Sequence, residues 1–450
     1  MSYNCNMKKF LIYILLLISL FLWGCGRKKE SSSVPEIIDP GNGITYSAGE
    51  YSGIGVSDGA AMNNFADEEY NSLSKADSSV ISALKDTLAS AADACREIYL
   101  NADKGGGVNV SLGSSDVYKM VTACGQAGIT ARDYLGDYSM SCWEALDEFG
   151  KSTYISEANV SGSYVDIYSD GHMSAFTLSR ESGVWHLYGV SGDWEEDGSF
   201  RTFSEGRYSV GGVTYTEKGW LIYTRNTSDF DENQKKNTDS YTMLRVIPRD
   251  ETCSALCARY VEPIGYLENN LFITDWSNAN LGPIDFNSLY AYLFAMYNGT
   301  DMLSSYNVRN YYRAYNNTRL YVVPTDTFET VVRTWFSIDP STLKAISDFS
   351  YSAGGYFFLG YNRDYYNVSP RTPEPEVVDY SYNSDGSVTM TVDAVNSWYG
   401  TDCAFRHILT VMPTKNGFMY VSNDLIEDEN NILPQQLLSE MLDVEKTKLD

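Results

Sequence analysis

The chain has 450 residues and a formal net charge of −26, with 59 acids against 33 lysines and arginines. That balance argues against nucleic-acid binding, where basic patches supply most of the affinity, and against an electrostatic hold on anionic lipid. Hydrophobic content of 43% is ample for packed cores, and the length suggests two or three domains.

The first element is an export signal. Lys8 and Lys9 precede an apolar run from Phe10 to Trp23, which ends in Gly24-Cys25. A charged n-region, an apolar h-region and a small residue before the cut form the secretory layout. A cysteine just after the small residue marks the bacterial lipoprotein variant. We therefore expect residues 1–24 to be removed, and the thiol of Cys25 to be acylated as the new N-terminus. The body would then sit on the extracytoplasmic face of the cell membrane, held by lipid. An uncleaved anchor is the alternative, but a span needs about 20 apolar residues and this run is shorter. Translation starts at Met1 or Met7. Removing residues 1–24 takes away two lysines and no acid, which moves the net charge from −26 to −28.

Residues 25–64 are rich in serine, glycine and proline and read as a flexible tether. Helices follow. Asp77 or Ser78 caps a helix to about Asn101, with Ile81, Leu84, Leu88, Ala91, Cys95 and Ile98 on one face. Ser114 or Ser115 opens a second, through Val117, Met120, Val121 and Cys124. A third covers about Met140 to Phe149. From Tyr154 to Val246 the period changes to two. Turn signals at Ser169-Asp170-Gly171, Glu181-Ser182-Gly183, Glu196-Asp197-Gly198, Gly211-Gly212 and Glu217-Lys218-Gly219 divide it into an antiparallel meander. Asn226 to Asp239 is expected as a long loop.

A helix is expected from Glu251 to Val261, then a connector between halves over residues 264–283. The helix through Phe286, Leu289, Tyr290, Leu293, Phe294 and Tyr297 is apolar nearly all round, as in buried helices. Asn307 to Tyr315 and Phe328 to Phe336 give two more. Strands return at Val378–Tyr382, Val388–Ala394, Phe405–Met412 and Phe418–Ser422. The expected fold class is α+β in two modules, each of helices followed by an antiparallel β-meander. The modules cover residues 65–263 and 284–425, and residues 426–450 form an acidic tail that could be helical.

The segments LRVIPRDETC, PIGYLENNLFITDWS with the helix start IDF, and PEPEVVDYSYNSDGSVTMTVDAV with the closing YVSN resemble uncharacterised lipoproteins of gut Firmicutes. Those proteins form a domain-of-unknown-function family. The resemblance implies a surface location and a tethered architecture. It implies no activity and no functional residues.

Candidate chemistry is sparse. Gly55-Val56-Ser57-Asp58-Gly59 fits the G-x-S-x-G pattern, but a glycine-rich tether precedes it where a nucleophile elbow needs a strand. His172, His186 and His407 lie far apart, and His407 is in phase with Phe405, Leu409 and Val411. Asp193 to Gly198 echoes a calcium loop without the glutamate at position twelve, as does Asp229 to Asn233 without the glycine. Cys253 and Cys257, four apart in a helix, suit neither a disulfide nor, without a second pair, zinc. We name no catalytic residue, metal ligand or cofactor. A noncatalytic surface module binding an envelope protein, peptide or glycan is the favoured function. A cell-envelope hydrolase and a structural or assembly-supporting lipoprotein are the alternatives. Because 36 residues are tyrosine, exposed aromatics are the expected binding groups, with Trp276, Tyr292 and Tyr306 as candidates.

Overall fold

The computed structural model describes residues 75–106, 109–136, 139–155, 159–225, 240–300, 311–315, 318–352, 354–360 and 372–434, and among the described residues there are sixteen strands and seven helices. The fold class is α+β. Two units are distinguished. One contains residues 1–45 and 414–417, of which only the short turn at 414–417 is described. The other contains everything else.

Helix α1, Lys75–Asn101, buries Ile81, Leu84, Leu88, Ala91, Cys95 and Tyr99, one stripe at spacings of three and four. Helix α2, Ser114–Gln126, buries Val117, Met120, Val121 and Cys124. The two stripes pack together and onto one face of a seven-stranded sheet, through Val165, Ile167, Met173, Ala175, Tyr188 and Val190. The sheet runs in sequence order. It comprises β1 (Ala131–Asp133), β2 (Val160–Ile167), β3 (Met173–Glu181), β4 (Val184–Trp194), β5 (Phe200–Tyr215), β6 (Trp220–Arg225) and β7 (Ser240–Arg245). Only β1 with β2 is parallel; the rest is an antiparallel meander. At the β2–β3 turn Gly171 has φ +88°, and a Cβ there would lie 2.3 Å from the Tyr99 ring, so glycine is required twice over.

The opposite face is also covered. Tyr164, Phe176, Leu178 and Leu187 meet Leu146 and Phe149 of α3 (Glu144–Ser152), together with Tyr215, Leu221, Tyr223 and Leu244 from β5 to β7. The hydroxyls of Tyr164 and Tyr223 touch at 2.7 Å, so the far end of the sheet folds back over its own middle. Strand β3 is consequently buried on both faces. Gly211-Gly212, expected as a turn, lies inside the 16-residue β5. The register shifts between Val210 and Gly212, so these glycines form a bulge that bends the strand.

The C-terminal half is built on one large core. Helix α4, Glu251–Tyr260, is capped by the Asp250 carboxylate, which accepts from Thr252 and Cys253 N–H. Helix α5, Phe286–Asn298, is capped by Asp285 and ends at left-handed Gly299. Helices α6 (Thr325–Trp335) and α7 (Pro340–Ile346) complete the set. A five-stranded sheet runs β13–β14–β15–β16–β8, from Glu374–Tyr382, Val388–Val395, Arg406–Thr414, Gly417–Ile426 and Trp276–Ser277.

A separate four-stranded sheet runs β11–β12–β10–β9. Its strands are Phe349–Ser350, Gly355–Gly360, Thr318–Pro324 and Tyr311–Tyr315, and they are interleaved among the helices rather than placed after them. The expected helix over Asn307 to Tyr315 is corrected: Tyr311–Tyr315 is strand β9, paired with β10 from Tyr315↔Thr318 onward. Residues 264–275 are irregular in backbone, yet they supply Tyr266, Leu271 and Phe272 to the core, where Trp276 of β8 joins them.

The halves meet through ions. Lys218, in the β5–β6 turn, bonds the buried Asp393 of β14. Trp220 Nε1 and Arg245 both donate to Glu376 of β13, at 3.1 Å each. Trp220 and Ile222 pack on Val395 between them.

Candidate functional site

A cleft of about 500 Å³ lies between α1 and the β2–β3 edge of the seven-stranded sheet. Cross-strand register builds its floor. Ser161 is opposite Ser179, and Ser163 is opposite Thr177. Residues paired this way point to one face, here the α1 face. Ser163 Oγ and Thr177 Oγ1 are 2.8 Å apart. Ser79, Ala83 and Thr87, one turn apart along α1, form the wall. Asn159, Arg180 and Glu181 close the end.

The charged groups there are already engaged. Glu181 Oε1 accepts from Ser179 Oγ at 3.1 Å and from Tyr188 OH at 3.4 Å. Arg180 turns its guanidinium to the carbonyls of Thr153 and Ile155, and stacks over Trp185. Behind the cleft, buried Asp77 accepts from Tyr188 OH at 2.7 Å and pairs with Arg207 at 3.2 Å. Burial first, and the bond to Asp77 second, push the Tyr188 phenol up. Asp77 was expected as a helix cap; it instead ties α1 to β4 and β5. The cleft therefore offers hydroxyls and an amide, which donate and accept alike, over a rigid base.

Two of the three histidines are hydrogen-bonded within the fold, and the third, His186, keeps a buried Nδ1 with no partner among the described residues. His172 Nε2 lies 3.1 Å from Ser174 Oγ, which also meets Ser191 Oγ at 2.8 Å. Ser174 has no exposed surface, so its hydroxyl cannot reach a substrate. His407 is fully buried and stacks on Phe272. Its Nδ1 donates to Asn423 Oδ1 and its Nε2 accepts from Tyr266 OH. His186 is half-buried, in one cross-strand row with Ser179 and Ser209. The acidic stretch from Asp193 runs from the end of β4 into a turn: Asp197 accepts from Ser199 N, and Glu195 pairs with Arg201.

The aromatic candidates are corrected. Trp276 is 3% exposed; its Nε1 donates to Leu271 O and its ring meets Phe336. Tyr292 is 6% exposed, with its hydroxyl donated to Leu267 O. Tyr292 lies on a packed side of α5, which exposes Tyr297 but not this ring, and Trp276 belongs to the core, so neither side chain presents a surface. Tyr306, Cys25, the Gly55–Gly59 motif and Asp229 lie outside the described residues. Exposed aromatics lie elsewhere among the described residues, Tyr118, Tyr154, Phe203, Tyr351, Tyr382, Tyr241, Trp398 and Tyr399 among them. A Cβ at Gly400 would lie 2.2 Å from the Tyr241 ring, so Tyr241 packs on the turn that carries Trp398 and Tyr399. The turn signal Asn396-Ser397-Trp398-Tyr399-Gly400 is the sequence clue, since Asn396 Oδ1 accepts from the backbone N–H groups of Trp398 and Tyr399.

Among the described residues no helix is long and apolar enough to cross a membrane, and no group of three metal-ligating side chains occurs. The model of a family of unknown function matches residues 82–437. No curated protein and no solved structure matches the chain.

Proposed function

The chain belongs to the family of unknown function DUF6070, and we propose that it is an extracytoplasmic lipoprotein whose body binds a ligand without transforming it. Cys25 would carry the lipid, residues 25–64 would be the tether, and two α+β modules would form the body. Its partner would be an envelope protein, peptide or glycan. The supporting observation is the cleft between α1 and the β2–β3 edge. It combines about 500 Å³ of space with hydroxyl and amide groups, while its one carboxylate, Glu181, is held by Ser179 and Tyr188. Such a lining recognises polar, uncharged groups by hydrogen bonds and supplies no activated nucleophile.

Ala83 lies exposed on the wall, so Ala83→Trp fills the cleft and leaves the core alone. Wild-type and Ala83→Trp chains are compared by quantitative capture from native envelope fractions. Loss of the wild-type partners from the variant is expected. An unchanged set overturns the cleft as the binding site.

A further inference from the structure

We propose that the cleft takes an extended peptide, which adds as a strand to the open edge of β2. The inference rests on the cleft being the binding site and names its ligand. Strand β1 covers β2 only at Val165, Asp166 and Ile167. Below that point the chain leaves the sheet: Gly128, at φ +76°, turns it back into α2. Val160 to Tyr164 is thus an edge with no strand on its outer side among the described residues.

The direction of its backbone groups follows from register. Val165 N donates outward to Thr130 O, and Ile167 O accepts outward from Tyr134 N. Backbone groups alternate along a strand, so N–H and C=O of Ser161 and Ser163 point outward as well. The close Ser163–Thr177 contact fits this, because non-hydrogen-bonded pairs bring side chains nearest. Two outward N–H/C=O sets about 6.8 Å apart match the backbone of an added strand.

The edge is also undefended. Val160-Ser161-Gly162-Ser163-Tyr164 contains no charge and no proline, the usual devices that stop strand addition. Every second side chain of an added strand would fall on the cleft side, where Ser79, Ala83 and Thr87 leave room for small or polar groups. A second copy of this chain is disfavoured as the occupant, since each carries a net charge of −26.

The test uses the full chain in detergent and a phage-displayed library of random linear peptides. Ser163→Pro removes an outward N–H that the sheet itself does not use; Ser163→Ala keeps it. Enriched peptides are expected to lose about tenfold in affinity for Ser163→Pro, about 1.4 kcal/mol, and distinctly less for Ser163→Ala, which gives up only the floor hydroxyl and keeps the outward N–H. Hydrogen exchange on the wild type needs no variant: the Ser161 and Ser163 amides are expected to exchange fast alone and slowly with peptide. No enrichment, equal binding to Ser163→Pro, or no protection of these amides overturns strand addition. A dimer of the free chain that Ser163→Pro dissolves makes a second copy the occupant, and also overturns it. If Ala83→Trp abolishes envelope capture and Ser163→Pro does not, the cleft stands and strand addition alone falls. If Ala83→Trp changes nothing, the cleft itself is wrong.

Discussion

Lys218 Nζ lies 2.6 Å from Oδ2 of Asp393, a side chain with no exposed surface. Arg406 holds the same carboxylate with bonds of 2.6 and 2.9 Å. Burial pushes the Asp393 carboxyl up, but the hydrogen bonds from Arg406 and Lys218 outweigh it and leave it below its ordinary value. A depressed carboxyl adds stability above the unfolded pKa, about 3.9, and loses it as pH falls through the folded one. Asp393→Ala leaves Lys218 without its buried partner and is expected to cost about 3 kcal/mol at neutral pH. Urea titrations at pH 7 and pH 3 check both points: the variant should lose less than the wild type between them.

His407 gives a second pH dependence, in a different window. Burial, the main cause, takes its pKa from 6.5 down to about 4, against a smaller upward pull from the Asn423 bond. The unfolded imidazole therefore takes up a proton before the folded one does. Stability is expected to fall from about pH 6.5 to about pH 4, by roughly 3 kcal/mol. His407→Gln should be less stable at pH 7 and flat across this window. A wild type equally stable at pH 7 and pH 4.5 would refute the assignment.

Trp276→Ala and Tyr292→Ala are expected to lower stability by about 3–5 kcal/mol each, as for large buried aromatics. Both lose a hydrogen bond to a backbone carbonyl as well as packing. Melting temperature reads the loss. Either variant melting with the wild type would show that its ring is not in the core.

The thiols should react in order of access. Cys95 and Cys124 are fully buried with sulfurs 3.6 Å apart; the contact with Cys124, then burial, pushes the Cys95 thiol up. Cys142 and Cys403 are half-buried, and burial pushes Cys403 up to about 11. Iodoacetamide on the folded chain is expected to label Cys142 first, then Cys403. Cys95 and Cys124 should label only in denaturant. Peptide mass mapping over time reads the order, and early labelling of Cys95 would contradict the α1–α2 packing.

Cys25→Ser is expected to prevent lipidation and leave the chain as an unprocessed precursor or release it from membranes. Mass spectrometry of the native N-terminal peptide checks this. A terminus at Met1 or Met7 would exclude acylation at Cys25.

Much of the fold was legible because buried stripes leave a period. Helices α1, α2, α5 and α6 and the hairpin β13–β14 followed from spacing alone. Tyr311–Tyr315 did not, because Val308, Tyr311, Tyr312 and Tyr315 also fit a helical period. Its partner β10 is visible only as a pairing in space. Gly211-Gly212 carried a turn signal that a long bent strand absorbs as a bulge. The site was less legible. Ser161, Ser163, Thr177 and Ser179 alternate along their strands, but only register brings them together on one floor. Aromatic count pointed to tyrosine as surface chemistry, whereas Tyr266, Tyr290, Tyr356 and Tyr420 are among the largest fully buried side chains.

Strand β8 closes the five-stranded sheet with two residues, Trp276 and Ser277, against Asn423 and Ser422. Asn423 also donates to Thr274 O, and Leu425 N to Asp275, across 149 and 150 residues. A chain emerging N-terminus first thus presents Trp276 long before its partner strand exists. Until β15 and β16 arrive, Phe272 has no His407 or Tyr420 to cover it. Such distant closure is slow, and the waiting surface is sticky. A chain cut short before Ser422 would keep the seven-stranded sheet and leave the second core open, a target for proteolysis rather than a smaller working protein.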